Sequence, residues 1–420
     1  MNSPSQRDTD LRDASQRDPK LSNQDANGAR RVINRIAIYA GDARVFPEEL
    51  SGLVKRLVAR GVRIRCFAPA WSDTVAKLTI GDGAETDTYA LTTDDKWQLL
   101  PGRALRKQTA ETVTAWNPDV VMAIGPACAL QILPAVPRNT ADRIAVLDRW
   151  ADAATAPPSV EASRVLRPRD VRALHAAADT VICHHEPAAT TFAAASRSSD
   201  RNPPRILTIN GFGVSAEHVP ANTQATSQPT VRFLLTAPLD EVKGVRDYAQ
   251  AAALALARTQ AAASTDGTNQ PGNTTAPAIS FALQAAPGRT SRPVALDELT
   301  AVAPLAVLDP AITLTSAIAD HDVIVFAAHH DGMPRELLTT LAVGRAIVAS
   351  AIPAAKLAID ERVNGCLFTA GNAEALAHAC LSMAKHPQLL PAMGRASRRK
   401  AERRFSSDTI VRAYLTAIGL

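Results

Sequence analysis

The strongest constraint on the fold is a rhythm of short apolar runs, each followed by a stretch of helical spacing and then another apolar run. Arg35-Ile-Ala-Ile-Tyr39 reads as a short buried strand. Residues 48–60 then place Leu50, Leu53, Val54, Leu57 and Val58 on one helical face, Gly61 ends the helix, and 62–67 reads as the next strand. A strand–helix–strand unit this short is the mark of a parallel sheet. Apolar runs recur at 119–124, 143–147, 180–183 and 205–209.

A stretch rich in Pro, Thr, Ser and Gln breaks the rhythm at 219–230 and reads as a linker. The pattern restarts with a strand at 231–235 and a helix at 245–257. Further strands are expected at 278–283, 323–326 and 346–349, and helices at 335–343, 373–385, 391–404 and 407–418. Residues 262–277 read as a flexible insertion. With 420 residues, the chain suits two cores rather than one. The expected division is a disordered polar tail at 1–32, an α/β domain at 33–218, the linker, a second α/β domain at 231–394, and a basic helical segment at 395–420. Ligands of open parallel sheets bind beyond the carboxyl ends of the strands, so the natural site is the interdomain cleft.

Charge excludes one broad class. Lys plus Arg number 46 against 41 Asp plus Glu, but residues 395–420 hold seven basic and two acidic side chains. The first 394 residues are therefore balanced, unlike the broad basic stripe of a nucleic-acid binder. Arg395, Arg398, Arg399, Lys400, Arg403 and Arg404 spread around most of a helix at 100° per residue. They suit either a solvated helix or a surface attracted to anionic lipid. No apolar run approaches a membrane span, and no apolar leader opens the chain, so a cytoplasmic location is expected. Five scattered cysteines without a CxxC pair indicate neither a disulfide framework nor a zinc site.

Chemistry concentrates in 322–345, where a buried strand runs into His329, His330, Asp331 and Gly332, and Pro334 opens a helix. Free N–H groups at such a helix start favour a phosphate. On spacing alone, an ordinary strand–loop–helix turn with Asp331 near the cap is the simpler reading of the segment. His184-His185-Glu186 follows the strand at 180–183 and so sits at a carboxyl end. No further ligands at suitable positions suggest a metal there.

Asp331-Gly-Met-Pro-Arg-Glu-Leu-Leu338 followed by Gly344-Arg345 is similar to the donor-site motif of family 4 glycosyltransferases of the bacterial surface-polysaccharide type. Lys243-Gly-Val245, Asn364-Gly365, Gly371-Asn-Ala-Glu-Ala-Leu-Ala377, Met393-Gly394 and Glu402-Arg-Arg-Phe-Ser406 agree in order and spacing. The resemblance covers about 231–415, and the first domain agrees in architecture. It implies a GT-B fold, two Rossmann-like domains flanking a cleft, with the last helix returning to the first domain. It implies retaining transfer of a sugar from a nucleotide-sugar donor, UDP- or GDP-linked, to a polysaccharide or lipid-linked acceptor. It requires no metal or other cofactor, and it suits a protein peripheral to the inner face of the cell membrane, bound to no nucleic acid.

Carried over residue by residue, the resemblance puts Lys243 and the helix start after Gly332 on the diphosphate and Asp331 on the donor sugar. Met333, Pro334, Thr339 and Asn364 complete the expected donor pocket, and His185 is a candidate catalytic or acceptor-orienting group. Several positions depart from the pattern. Asp331 replaces a Glu, Thr339 a second Glu that holds the ribose, and Pro238 an Arg on the diphosphate, while Met122 and Ile124 stand where a His is expected. The alternative is a catalytically degenerate GT-B protein that binds or scaffolds a partner. An epimerase of the same architecture fits the 331–335 segment less well.

Overall fold

The structure is a computed structural model. It describes residues 32–41, 45–69, 84–89, 103–137, 139–148, 151–152, 165–195, 203–214, 230–265, 278–286, 292–329 and 333–420. All but the last residue of the expected tail (1–32) and of the linker (219–230), and most of the insertion, 266–277, lie outside these residues.

Seven strands form the first sheet: β1 (Arg35–Ala40), β2 (Arg63–Pro69), β3 (Ala84–Tyr89), β4 (Val120–Ile124), β5 (Asp142–Leu147), β8 (Thr180–Cys183) and β9 (Arg205–Thr208). A small separate ladder pairs β6 (Ala151–Asp152) with β7 (Val165–Leu166). The main order is β3-β2-β1-β4-β5-β8-β9, parallel throughout. Alternate residues face opposite sides, and both sides are buried. Ile36, Ile38, Val120 and Met122 join one core, while Ala37, Tyr39, Val121 and Ala123 join another. Met122 and Ile124 are thus core side chains.

The second sheet holds β10 (Thr230–Ala237), β11 (Ala278–Ala285), β12 (Ala306–Val307), β13 (Val323–Phe326), β14 (Ala346–Ser350) and β15 (Gly365–Phe368). Its order is β12-β11-β10-β13-β14-β15, again all parallel. Helix Val245–Thr265 runs beyond the expected end at 257, because its extension is rich in Ala, the strongest helix former.

Helix Leu390–Arg404 packs on the second domain. Gly394 makes this contact, since a Cβ there would lie 2.2 Å from the carbonyl oxygen of Gly344. Ser397 Oγ donates to Arg345 O at 2.7 Å, and Arg398 donates to Ala342 O at 2.5 Å. The chain then crosses back at Phe405-Ser406, where Val214 N donates to Phe405 O at 2.8 Å and Ser407 N to Val214 O at 3.0 Å. Helix Ser407–Ile418 inserts Ile410, Val411, Tyr414, Leu415 and Ile418 into the core of the first domain. Ser406 caps it by accepting from Thr409 N.

Candidate functional site

Strand order reverses where β10 lies beside β13, and the loops leaving their carboxyl ends form the candidate site. After β10, Pro238 O accepts from Asp240 N at 2.7 Å. The buried Asp240 carboxylate accepts from Val242 N at 3.1 Å and caps the short turn Glu241–Lys243. Gly244 follows in the left-handed region at φ +70°, and a Cβ there would fall 2.0 Å from Ala327 O. Only glycine permits that approach. Lys243 is thereby fixed, half-buried, at the start of helix Val245–Thr265.

The loop after β13 is clamped onto this turn. Ser350 Oγ donates to Ala328 O at 2.5 Å, and His329 N donates to Val242 O at 3.0 Å. His329 Nε2 pairs with the Asp247 carboxylate, one helical turn beyond Lys243. The two side chains are only 18% and 16% exposed. Asp331 and Gly332, like His330, lie outside the described residues. Pro334 precedes helix Arg335–Val343 as its cap residue rather than its first helical residue. Thr339 is buried within that helix, and Glu336 is a half-buried carboxylate three positions ahead on the same side. Met333 is buried against the first domain, where a Cβ on Gly211 would lie 3.2 Å from its Cγ. The carboxyl-end loops of the two domains therefore touch.

Lys243, Met333 and Pro334 fall on these adjoining loops. Asn364 does not. It precedes β15, at the amino end of a parallel sheet and opposite the switch point. Its side chain accepts from Asp360 N at 2.7 Å and donates to Ala358 O at 3.1 Å, tying its own turn. His185 sits at the carboxyl end of β8 as expected, but is 5% exposed, with Nδ1 accepting from Ala188 N at 3.1 Å. It serves as a helix cap. Its neighbour His184 meets Tyr414 Oη at 3.1 Å and packs edge-on against Phe212. Burial, followed by the charges of Asp148 and Glu49, holds the Tyr414 hydroxyl well above its usual pKa. Burial also pushes the thiols of Cys66, Cys183 and Cys366 up to about 12, so none offers a thiolate nucleophile.

Sequence reasoning missed the Asp247–His329 pair and Glu336. Nothing local marks the pair, whose members are 82 positions apart. The basic helix also differs from expectation. Lys400 is buried on Asp360 at 2.7 Å, and Arg398 bonds Glu402 and Ala342 O. Exposed Arg395, Arg399 and Arg403 remain at four-residue spacing, forming one stripe with Arg404 beside it. Among the described residues, no helix is long and apolar enough to cross a membrane.

Two Rossmann-like parallel domains, touching through their carboxyl-end loops and joined by a returning helix, define the GT-B fold. Residues 288–386 match the family described as Glycosyl transferases group 1. No curated protein matches the chain. Among solved structures it is similar to Anabaena HepE in complex with UDP and glucose, with 14% identity, 92% of this chain and 99% of that one covered, and a TM-score of 0.67. It is also similar to a sucrose-phosphate synthase from Thermosynechococcus elongatus, at 14% identity, 91% and 98% coverage and a TM-score of 0.65. A UDP-forming α,α-trehalose-phosphate synthase from Burkholderia vietnamiensis shows 11% identity, 92% and 97% coverage and a TM-score of 0.67. At these identities the likeness to solved structures establishes the fold.

Proposed function

We propose that the protein transfers a sugar, with retention, from a UDP- or GDP-sugar held at the β10/β13 switch point to a glycan or lipid-linked acceptor presented by the first domain. The observation that carries this reading is the clamp between the two switch-point loops, which fixes a half-buried lysine at a helix start. An ammonium group beside free N–H groups is suited to a diphosphate, and it stabilises the charge that gathers on the leaving nucleotide. In this reading Asp331, Gly332 and the start of helix Arg335–Val343 hold the donor sugar and phosphates, while the burial of Thr339 in that helix takes it out of the expected ribose contact. We assign His185 and Asn364 structural roles, from the bonds described above. The stripe of Arg395, Arg399 and Arg403 suits the headgroups of an anionic membrane carrying a lipid-linked acceptor.

Calorimetry of the full chain against UDP, GDP and ADP tests the donor site. Saturable binding of one nucleotide is expected, weakened in Lys243→Ala by about 1.5–3 kcal/mol, the range for a charge-assisted hydrogen bond. Absence of binding across the panel overturns the reading. Sedimentation with vesicles tests the membrane stripe. Equal binding to neutral and anionic vesicles removes it.

A further inference from the structure

Asp247 lies in the first turn of helix Val245–Thr265, four positions after Lys243. A carboxylate there opposes an incoming diphosphate, because like charges brought together in a largely buried site are poorly screened. His329 meets this carboxylate from the neighbouring loop through Nε2, and its own N–H is fixed on Val242 O at 3.0 Å. Val242 immediately precedes Lys243, so one residue both registers the lysine turn and covers the acid beside it. We infer that His329 and Asp247 form a positioning pair, in which the imidazole covers the carboxylate and admits an anionic donor to Lys243. The inference rests on the donor-site reading above.

A purely structural tie between the loops and a charge-covering pair differ in what D247N does alone. If the pair is only a tie, D247N weakens nucleotide binding about as much as H329A, because either change breaks the bond, whereas a covered charge can be removed with binding intact. If His329 covers Asp247, removing the carboxylate repairs the loss of the histidine. The experiment measures UDP and GDP binding by calorimetry to the wild type, H329A, D247N, H329A/D247N and H329Q, with thermal unfolding of each. H329A is expected to weaken nucleotide binding about tenfold, and the double variant to return to within about threefold of wild type, as removal of a like charge requires. H329Q, which retains a hydrogen-bond donor without the imidazole, is expected to fall between H329A and wild type. Unchanged binding in H329A, or a double variant as weak as H329A, overturns the pair while leaving the donor site standing. A wild type that binds neither nucleotide removes the donor site and the pair together. If H329A does not fold, H329Q with and without D247N gives the same comparison.

Discussion

The two sheets share a strand order around their switch points but fill the space beyond their carboxyl ends differently. In the first domain that space holds aromatic and hydrogen-bonded groups. His184 bonds Tyr414, Phe212 stacks on Tyr414 at 5.9 Å, and His185 caps a helix. In the second domain the corresponding space holds part-exposed polar groups, Lys243, Asp247 and His329, steadied by close main-chain approaches. One end is closed by packing and the other is kept polar by backbone geometry. The same topology can therefore yield a docking surface for its own chain or, as proposed above, a site for an anion, depending on what its loops carry.

Substitutions that attack each closure separately sharpen this contrast. The largest effect is expected at Tyr414, fully buried in the first domain's core. Tyr414→Ala should lose about 3–5 kcal/mol in denaturant unfolding, as for other large buried aromatics, whereas Tyr414→Phe should lose about 1 kcal/mol with the hydrogen bond. A Tyr414→Ala protein as stable as wild type would show that packing does not close the first domain.

Gly244→Ala should be next. It places a side chain in a left-handed conformation and against Ala327 O, a strain of about 1–3 kcal/mol before the clash itself is counted. Nucleotide binding should weaken as the two loops part, and calorimetry reads both effects when combined with unfolding. Lys243→Ala should do the reverse of Tyr414→Ala, lowering affinity while leaving the midpoint of thermal unfolding in place. A stability loss like that of Gly244→Ala would make the lysine a fold element instead.

The smallest expected effect depends on pH. Burial lowers the pKa of His321 below its usual 6.5 and keeps its ring neutral in the folded state. The unfolded chain takes up that proton first, so stability falls as pH drops through 6.5 towards the lower folded value. A tenfold difference in proton affinity between the folded and unfolded chain corresponds to about 1.4 kcal/mol. Unfolding of wild type and His321→Asn between about pH 7.5 and 5, a window that brackets the ordinary histidine range, should show a shallower fall in the variant. Equal slopes would place the acid sensitivity elsewhere.

The apolar strands were legible because both faces are buried, so β1, β4 and β13 contain continuous apolar runs and β10 a shorter one at Phe233-Leu-Leu235. The edge strand β9 was also legible, but the edge strands β3 and β12 were not. β3 reads Ala-Glu-Thr-Asp-Thr-Tyr, with no apolar run, and β12 has only two exposed residues. Motif order placed Lys243 and Met333 on loops that the fold brings to the carboxyl ends of β10 and β13, because each loop is local. Asn364 was misplaced because a motif gives spacing and not which end of the strand it occupies. The six basic residues looked scattered on a helical wheel, and only tertiary contacts at Arg398 and Lys400 left an ordered stripe.

The returning helix also orders events in time. Its apolar face belongs to a core whose strands end at Thr208, yet its last turn is Ile418. On a ribosome adding about 5–20 residues per second, the first domain therefore waits roughly ten to forty seconds after its last strand for the piece that completes it. During that interval the surface later covered by Tyr414 and Leu415 is bare, and the second domain has time to fold around its own sheet. The domain translated first is completed last.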